Sequence, residues 1–184
     1  MMNRKVIVVT GLVAVALGVY LFVTSLDSSV LNKADVANIK QLVHDYSVGN
    51  IKAESASITS RQLIVTNADT SKQIYDLPKD EFFISIAPYI EHTHPCADHS
   101  LTSCRGELAD KEFKVHIEDM HGNVILDQMM KSQSNGFIDF WLPRNETYRV
   151  TIAHDGKSLV SEISTYEGDN TCMTTMKLTD NKST

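Results

Sequence analysis

Residues 148–165, YRVTIAHDGKSLVSEIST, decide the fold class because they contain two short strand-like runs on either side of one tight turn. Residues 148–154 and 158–165 are rich in β-branched side chains, which favour extended backbone. Asp155-Gly156 lies between them, and this dipeptide between apolar runs is a strong signal for a two-residue hairpin. The stretch therefore predicts an antiparallel β-hairpin.

The same pattern extends back through the second half of the chain. Further strands are predicted at residues 82–87, 113–118, 124–129, 137–142 and 171–178, with turn residues at 121–123, 135–136 and 143–145. Short strands at regular intervals with turns between them are typical of a sandwich of two sheets. Phe137, Phe140 and Trp141 are the simplest candidates for its core.

The first half begins with a different periodicity. Val36, Ile39, Val43 and Tyr46 recur at helical spacing and predict an amphipathic helix over residues 34–48. Residues 58–66 and 73–76, joined by a polar turn, then predict a hairpin. The fold class expected is therefore mainly β (α+β), with an N-terminal helix and hairpin followed by an antiparallel β-sandwich. The apolar stripe of the helix needs a cover, which can be the main domain or a second copy in a homodimer.

The N-terminus indicates where the protein resides. Arg4 and Lys5 precede an uncharged run at residues 6–26, a pattern typical of an export signal. The run is also near the length that spans a bilayer, so residues 1–26 are predicted to be a signal peptide or a signal anchor. We expect residues 27–80 to form the helix and hairpin region, and residues 81–184 to form the sandwich domain, outside the cytosol.

The net charge indicates which classes of partner the protein does not favour. The chain of 184 residues carries a formal charge of −6, which disfavours binding to nucleic acid or to anionic lipid. No membrane contact is expected beyond the N-terminal segment.

Candidate metal ligands are concentrated between residues 92 and 104. This span contains His92-Thr-His94-Pro-Cys96, then His99, then Cys104. Pro95 biases the residue before it toward extended backbone, in which side chains 92, 94 and 96 point to one face. The three cysteines of the chain are completed by Cys172 in Cys172-Met-Thr-Thr-Met176, and a pairing of this segment beside the loop would bring the third sulfur to the other two.

The ligand types suit soft metal ions. Thiolates and thioethers select Cu(I), whereas two thiolates with histidines suit tetrahedral zinc equally well. Cys96, Cys104 and Cys172 are the main candidates, and His92, His94, His99 and Met176 are weaker ones. The same cysteines are redox candidates, because two thiols that close to a disulfide release two electrons, enough to reduce two Cu(II) ions.

Other interpretations of the cysteines stay open. One is a structural disulfide with a leftover thiol in a zinc-binding or plain sandwich, because oxidising compartments favour disulfides. Another is an exported thiol-disulfide redox protein, although the sequence has no Cys-x-x-Cys motif. No nucleophile motif or phosphate-binding loop is present, and the chain is not expected to be a conventional enzyme.

Four segments together carry a family resemblance. The segments are Phe82-Phe-Ile-Ser-Ile-Ala-Pro-Tyr89, His92-x-His-Pro-Cys96, Cys104-x-Gly-Glu-Leu108 and Cys172-Met-Thr-Thr-Met176. In order and spacing they resemble the CueP family of periplasmic copper-binding proteins. The resemblance implies copper sequestration in copper resistance, reduction of Cu(II), and delivery of copper to a periplasmic superoxide dismutase. It places Cys96, Cys104 and Cys172 on the cysteine positions of the family.

Overall fold

The computed structural model describes residues 33–180, so the predicted signal segment at residues 1–26 lies outside the described residues. Residues 35–180 belong to one compact unit. Within the described part of the chain, no helix is both long and apolar enough to cross a membrane. The predicted boundary near residue 80 stays a prediction.

One helix and twelve strands follow each other along the described chain. The helix α1 covers Lys33–Val48 and confirms the amphipathic pattern. The strands are β1 (Ser55–Ile58), β2 (Gln62–Thr66), β3 (Lys72–Asp76), β4 (Glu81–Ile86), β5 (His99–Ser100), β6 (Glu112–Asp119), β7 (Val124–Lys131), β8 (Ile138–Pro143), β9 (Thr147–His154), β10 (Lys157–Ser164), β11 (Cys172–Met173) and β12 (Thr179–Asp180).

These strands form three sheets, and the α+β sandwich class is confirmed. The sheets have the strand orders β3-β2-β1-β5, β12-β10-β9-β6-β7 and β11-β4-β8. The 148–165 hairpin is β9 and β10, which pair in antiparallel register around Asp155 and Gly156. Both turn residues have positive φ, 47° and 75°, as a two-residue turn with the right twist requires.

Two strand predictions were wrong in detail. The segment at 58–66 is two strands, because a tight turn at residues 59–61 separates β1 from β2 and the two pair with each other. The segment at 171–178 is regular only at Cys172–Met173, and this strand pairs with β4 in parallel, so the sheets are not wholly antiparallel. The backbone beyond residue 173 makes irregular contacts instead, including a parallel bridge between Tyr89 and Lys177.

The three-stranded sheet separates two cores because β4 is buried on both faces. Phe82, Ile84 and Ile86 point into the main core, which also contains the apolar face of the five-stranded sheet. Phe83 points the other way, into a second core with Ile39, Val43 and Tyr46 of the helix. Half-buried Trp141 packs against this second core, whereas Phe140 lies in the main one.

The helix stripe is therefore covered within the chain. Ile39 is 7%, Val43 1% and Tyr46 8% exposed. A hydrogen bond also holds the C-terminal end of the helix against the sheet: Ser47 Oγ donates to Asp139 Oδ2 at 2.9 Å. Asp139 in addition accepts hydrogen bonds from Ser85 Oγ at 2.5 Å and Gln133 Nε2 at 3.0 Å. A single carboxylate thus connects the helix to both β4 and β8.

Candidate metal centre

The segment between β4 and β6 carries most of the candidate ligands, and several contacts fix its path. Glu107 accepts backbone hydrogen bonds from Ile90 at 2.7 Å, Glu91 at 3.0 Å and His92 at 3.2 Å. Burial alone would raise the pKa of Glu107, but these N–H donors outweigh it and hold the pKa below its usual range. The Glu107 carboxylate thus holds the start of the loop in position.

The middle of the loop is attached to the rest of the chain by strand pairing. His99 in β5 lies opposite Ile58 of β1. Thr171 Oγ1 accepts from the His99 backbone N–H at 2.9 Å and donates to the Ile58 carbonyl at 2.6 Å. Cys172 in turn donates its backbone N–H to the carbonyl of Ala97 at 3.0 Å. The 171–173 segment is therefore held between β4 and the loop.

The end of the loop passes very close to another turn. Gly106 donates its backbone N–H to the Asn135 carbonyl at 2.6 Å. A Cβ built on Gly136 would lie 2.5 Å from the Gly106 oxygen, and one built on Gly106 would lie 2.6 Å from the Gly136 oxygen. Only glycine fits at both positions, and this close approach places Cys104 against the Phe137 side of the site.

These attachments bring the three sulfurs together. Cys96 and Cys172 form a disulfide whose Cα atoms are 5.6 Å apart, and Cys104 is a free thiol. The Cys104 Sγ lies 3.6 Å from the Cys96 Sγ. Cys172 is 2% exposed and packs with Ala87 and Phe137, while Cys96 and Cys104 are half-buried against the same apolar group. The sequence offered the closeness of Cys172 to the loop only as a hypothesis. In the structure, Cys172 lies beside the loop.

His99 completes the cluster. Its ligand nitrogen and the three sulfurs all lie within 4.8 Å of one another. Its Nδ1 is 3.4 Å from the Cys172 Sγ, and its Nε2 is buried with no hydrogen-bond partner among residues 33–180. The imidazole is fully buried and packs against the ring of Phe137, with ring centres 4.5 Å apart and ring planes tilted by 52°.

Burial determines the charge of this histidine. Desolvation lowers the pKa of His99 to about 4, against a smaller raising influence of the Asp139 carboxylate. His99 is therefore neutral at physiological pH and has a lone pair available. A neutral imidazole beside three sulfurs is a donor set that fits a soft or borderline metal ion.

The other weaker candidates lie elsewhere. His92 is exposed near Glu91, with 3.8 Å between its Nε2 and the carboxylate. His94 is half-buried, and its ring centre is 6.4 Å from that of Phe137. Both line a surface recess of about 260 Å³ rather than the four-residue cluster. Met176 is 1% exposed in the main core, because the strand that contains Cys172 ends at Met173 and the backbone beyond it is irregular.

Sequence reasoning missed the residues that support the cluster. Thr171 and Glu107 hold the loop by hydrogen bonds to residues far from them in sequence, and no local pattern marks such contacts. The glycine pair left a weak signal, because Gly106 follows Cys104 closely and Gly136 is in a predicted turn.

Comparisons with known proteins identify the family of this chain. The family model described as periplasmic copper-binding protein CueP matches residues 38–177. Among solved structures, the chain is similar to the crystal structure of S.CueP, with 33% sequence identity and a TM-score of 0.71 over 88% of this chain and 96% of that one. No curated protein matches the chain significantly. With the family model spanning most of the chain and including all the clustered ligands, the protein belongs to the CueP family of periplasmic copper-binding proteins.

Proposed function

We propose that this protein sequesters Cu(I) in the periplasm at Cys96, Cys104 and Cys172, with His99 as an additional ligand. One observation carries the proposal: the ligand atoms of these four residues lie within 4.8 Å of one another. Three thiolates form a favourable trigonal set for Cu(I). Ala87 and Phe137 pack against the three cysteines, which limits the access of water to bound Cu(I) from that side.

The protein also reduces Cu(II) as it captures copper. The Cys96 and Cys172 thiols lose two protons and two electrons as the disulfide forms, and the two electrons convert two Cu(II) ions to two Cu(I) ions. The disulfide between these residues supports this step, because it is the oxidised product that the reaction would leave. After this step Cys104 and His99 are the donors left for Cu(I), and the three-thiolate site forms again only when an external thiol reductant reduces the disulfide.

Residues 1–26 direct the chain to the periplasm, and the bound copper passes to a periplasmic superoxide dismutase. Family membership supports the location, and the half-buried position of Cys96 and Cys104 gives the acceptor an approach to the sulfurs. The transfer test incubates Cu(I)-loaded protein with copper-free superoxide dismutase and measures dismutase activity. Activity that does not rise above that with free Cu(I) buffered to the same concentration would contradict the transfer.

The sequestration test is a Cu(I) competition titration of the reduced protein. Replacement of all three cysteines by serine is expected to weaken Cu(I) binding by far more than tenfold, since all three thiolates are lost. His99→Gln tests the fourth ligand, and the exposed His44→Gln is its matched control. A loss of less than tenfold in the Cu(I) affinity of the triple variant would reject the site. Tighter binding of zinc than of Cu(I) by the wild-type protein would favour a zinc-binding function.

The reduction test counts Cu(I) against thiols. Reduced protein mixed with excess Cu(II) should yield about two Cu(I), trapped by a chromogenic chelator, for each disulfide formed. Cys104→Ser should keep this yield because the Cys96–Cys172 pair is intact. Cu(I) formation without loss of thiols would contradict the mechanism.

A second candidate function is thiol-disulfide exchange with other exported proteins. The observation that favours it is the Cys104 Sγ at 3.6 Å from a disulfide sulfur, the position from which a thiolate attacks. Catalytic turnover of a dithiol substrate would support this function, and strictly stoichiometric consumption would support copper capture alone.

The homodimer through the helix stays a prediction. The apolar stripe that suggested it is covered by the chain itself, so that dimer would have to use the polar face of α1. Light scattering of a variant with charges reversed on that face would test it.

A further inference from the structure

A cleft of about 350 Å³ opens at the C-terminal end of the helix, and none of the four clustered ligands lines it. Its lining comes from three parts of the chain: the end of α1 with the linker that follows, the segment after β5, and the turn before β8. A volume of this size lies within the range of cavities that hold small organic molecules. The proposed copper chemistry makes no use of this cleft.

Part of the lining is apolar. Leu101 is 1% exposed and Tyr46 is 8% exposed, and both belong to the second core. Val48 and Ile51 are half-buried and add to the same apolar surface. A ligand gains most from this surface if it has an apolar body that removes the surface from water.

The charged side chains of the lining are all positive. Lys52 and Arg105 line the cleft, whereas no aspartate or glutamate does. Within residues 33–180, neither of these cations forms an ion pair with a carboxylate. The whole chain has 23 acidic and 17 basic residues, so this cleft has the opposite charge to the protein around it. Such a site attracts anions.

The guanidinium of Arg105 is held in place by its own segment. Its Nη1 donates to the Cys104 carbonyl at 2.7 Å, and its Nη2 donates to the Thr102 carbonyl at 3.1 Å. Arginine has five N–H donors, so three are left for a ligand. A donor that is already held loses less conformational entropy when a ligand binds.

A buried amide adds a further donor. Asn135 is 4% exposed, and its Oδ1 accepts from the Phe137 backbone N–H at 2.9 Å, which fixes the direction of the amide. Its Nδ2 donates to the Ser47 carbonyl at 3.4 Å. The second N–H of the same nitrogen has no other partner in the part of the chain that the structure describes, so it is available to an anion in the cleft.

The position at a helix C-terminus restricts the kind of anion. The end of α1 carries partial negative charge, and its last turn contains no basic residue that would offset it. Phosphate groups are typically bound at helix N-termini, where the dipole has the opposite sign. A singly charged carboxylate is opposed less by this dipole than a doubly charged phosphate, and its two oxygens match the guanidinium fork.

We propose that this cleft binds a small carboxylate with an apolar body. The carboxylate accepts hydrogen bonds from Arg105 and Asn135, and Lys52 adds a second positive charge. The apolar body covers Tyr46 and Leu101. The site is separate from the sulfur cluster and does not require copper.

The first test is isothermal titration calorimetry of the full-length, metal-free protein with its disulfide intact. Hydrocinnamate, a phenyl ring on a propionate chain, should bind with a Kd below about 1 mM. Its neutral amide, which lacks the charge, and acetate, which lacks the apolar body, should each bind at least about tenfold more weakly. Phenyl phosphate should bind more weakly than hydrocinnamate because of its second negative charge.

The second test uses variants of the lining. Arg105→Gln removes the guanidinium, and Ser134→Glu adds a carboxylate at an exposed lining position, so each should weaken hydrocinnamate binding about tenfold or more. Lys52→Gln should weaken it less, because this side chain is exposed and acts through charge alone. Lys72→Gln is the matched control, since Lys72 is exposed on β3 and does not line the cleft.

Circular dichroism shows whether each variant folds, and backbone amide chemical shifts locate the ligand. The amides of Thr102, Arg105 and Asn135 should shift during the hydrocinnamate titration, whereas those of β7 should not. A Kd above about 1 mM, equal binding of the neutral amide, or tighter binding of phenyl phosphate would overturn the proposal. Wild-type affinity in both Arg105→Gln and Ser134→Glu would also overturn it, because the carboxylate would then bind elsewhere.

Discussion

At the scale of single residues, His99 shows how burial changes chemistry. The ring is enclosed by Phe137 and the sulfurs, and its pKa is lowered to about 4 by desolvation. An exposed histidine in the same loop, such as His92, has no such environment. The sequence places both in one segment, and burial is what distinguishes the neutral imidazole of His99 from a surface histidine.

The lowered pKa predicts a pH dependence of stability. Between pH 6.5 and about 4 the unfolded chain binds a proton at His99 that the folded chain does not. Folding stability should therefore fall as pH is lowered through this window, by up to ~3 kcal/mol from this residue. Urea unfolding of the metal-free, oxidised protein at pH 7 and pH 4.5 measures it. The free energy of unfolding of His99→Gln should fall less between the two pH values than that of the wild type, and His44→Gln should fall as much as the wild type. An equal fall in all three proteins would contradict the prediction.

Glu107 predicts an effect on the loop itself. Glu107→Gln removes the negative charge of the carboxylate whose Oε2 accepts from three backbone N–H groups. Charge-assisted hydrogen bonds are stronger than neutral ones, so the amides of Ile90, Glu91 and His92 should exchange faster with deuterium. Glu91→Gln is the control, since the Glu91 side chain is 74% exposed. Unchanged exchange at residues 90–92 in the Glu107 variant would show that the carboxylate does not hold the loop.

At the scale of elements, the site depends on two turns in contact. Gly136 and Gly122 have nearly the same backbone, with φ of +83° and +85°. A Cβ on Gly136 meets the Gly106 backbone at 2.5 Å, and a Cβ on Gly122 meets nothing within 4 Å. A comparison of substitutions at Gly136 and Gly122 therefore separates the free-energy cost of the left-handed backbone from the cost of the close contact with Gly106.

Alanine at each glycine is expected to give different losses. Gly122→Ala should lower the free energy of unfolding by about 1 kcal/mol, from the left-handed backbone alone. Gly136→Ala should lower it by about 2 kcal/mol more, because the turn must move away from Gly106. Urea unfolding compares the two variants. Equal losses would mean that the turns separate at little cost.

Whether a segment is a helix or a strand was predictable where its apolar residues recur with a clear period. The helix and the 148–165 hairpin agree with the sequence because their patterns are local. The segment at 171–178 was predicted as one strand because β-favouring residues continue past Met173. Its backbone bonds to β4 and to Tyr89 override this propensity, and a single-sequence pattern does not contain those partners.

At the scale of the whole molecule, the disulfide closes a long loop. Cys96 and Cys172 are 76 residues apart in sequence, and the bond joins the loop before β6 to the segment after β10. All strands from β6 to β10 lie between the two cysteines. The bond therefore restricts the unfolded chain over more than a third of its length.

Reduction should accordingly destabilise the protein. A loop of this length predicts a loss of about 4 kcal/mol in the free energy of unfolding. Urea unfolding with and without a reducing agent, in the absence of metal, measures it. Cys104→Ser should show the same loss on reduction, whereas the double variant Cys104→Ser with Cys172→Ser, which keeps a single thiol, should not respond to the reducing agent. A Cys104→Ser variant that does not respond would point to a different disulfide.

The sequence by itself determined the helix, most strands, the ligand types and the family, because periodicity, turn residues and ligand chemistry are local properties. Tertiary structure decided which candidates meet. His99 joins the three sulfurs because β5 pairs with β1, and Cys172 joins because a short parallel strand lies beside β4. His92, His94 and Met176 have the right chemistry in the sequence but point to the surface or the main core. Convergence depends on contacts between distant segments, which spacing along the chain does not specify.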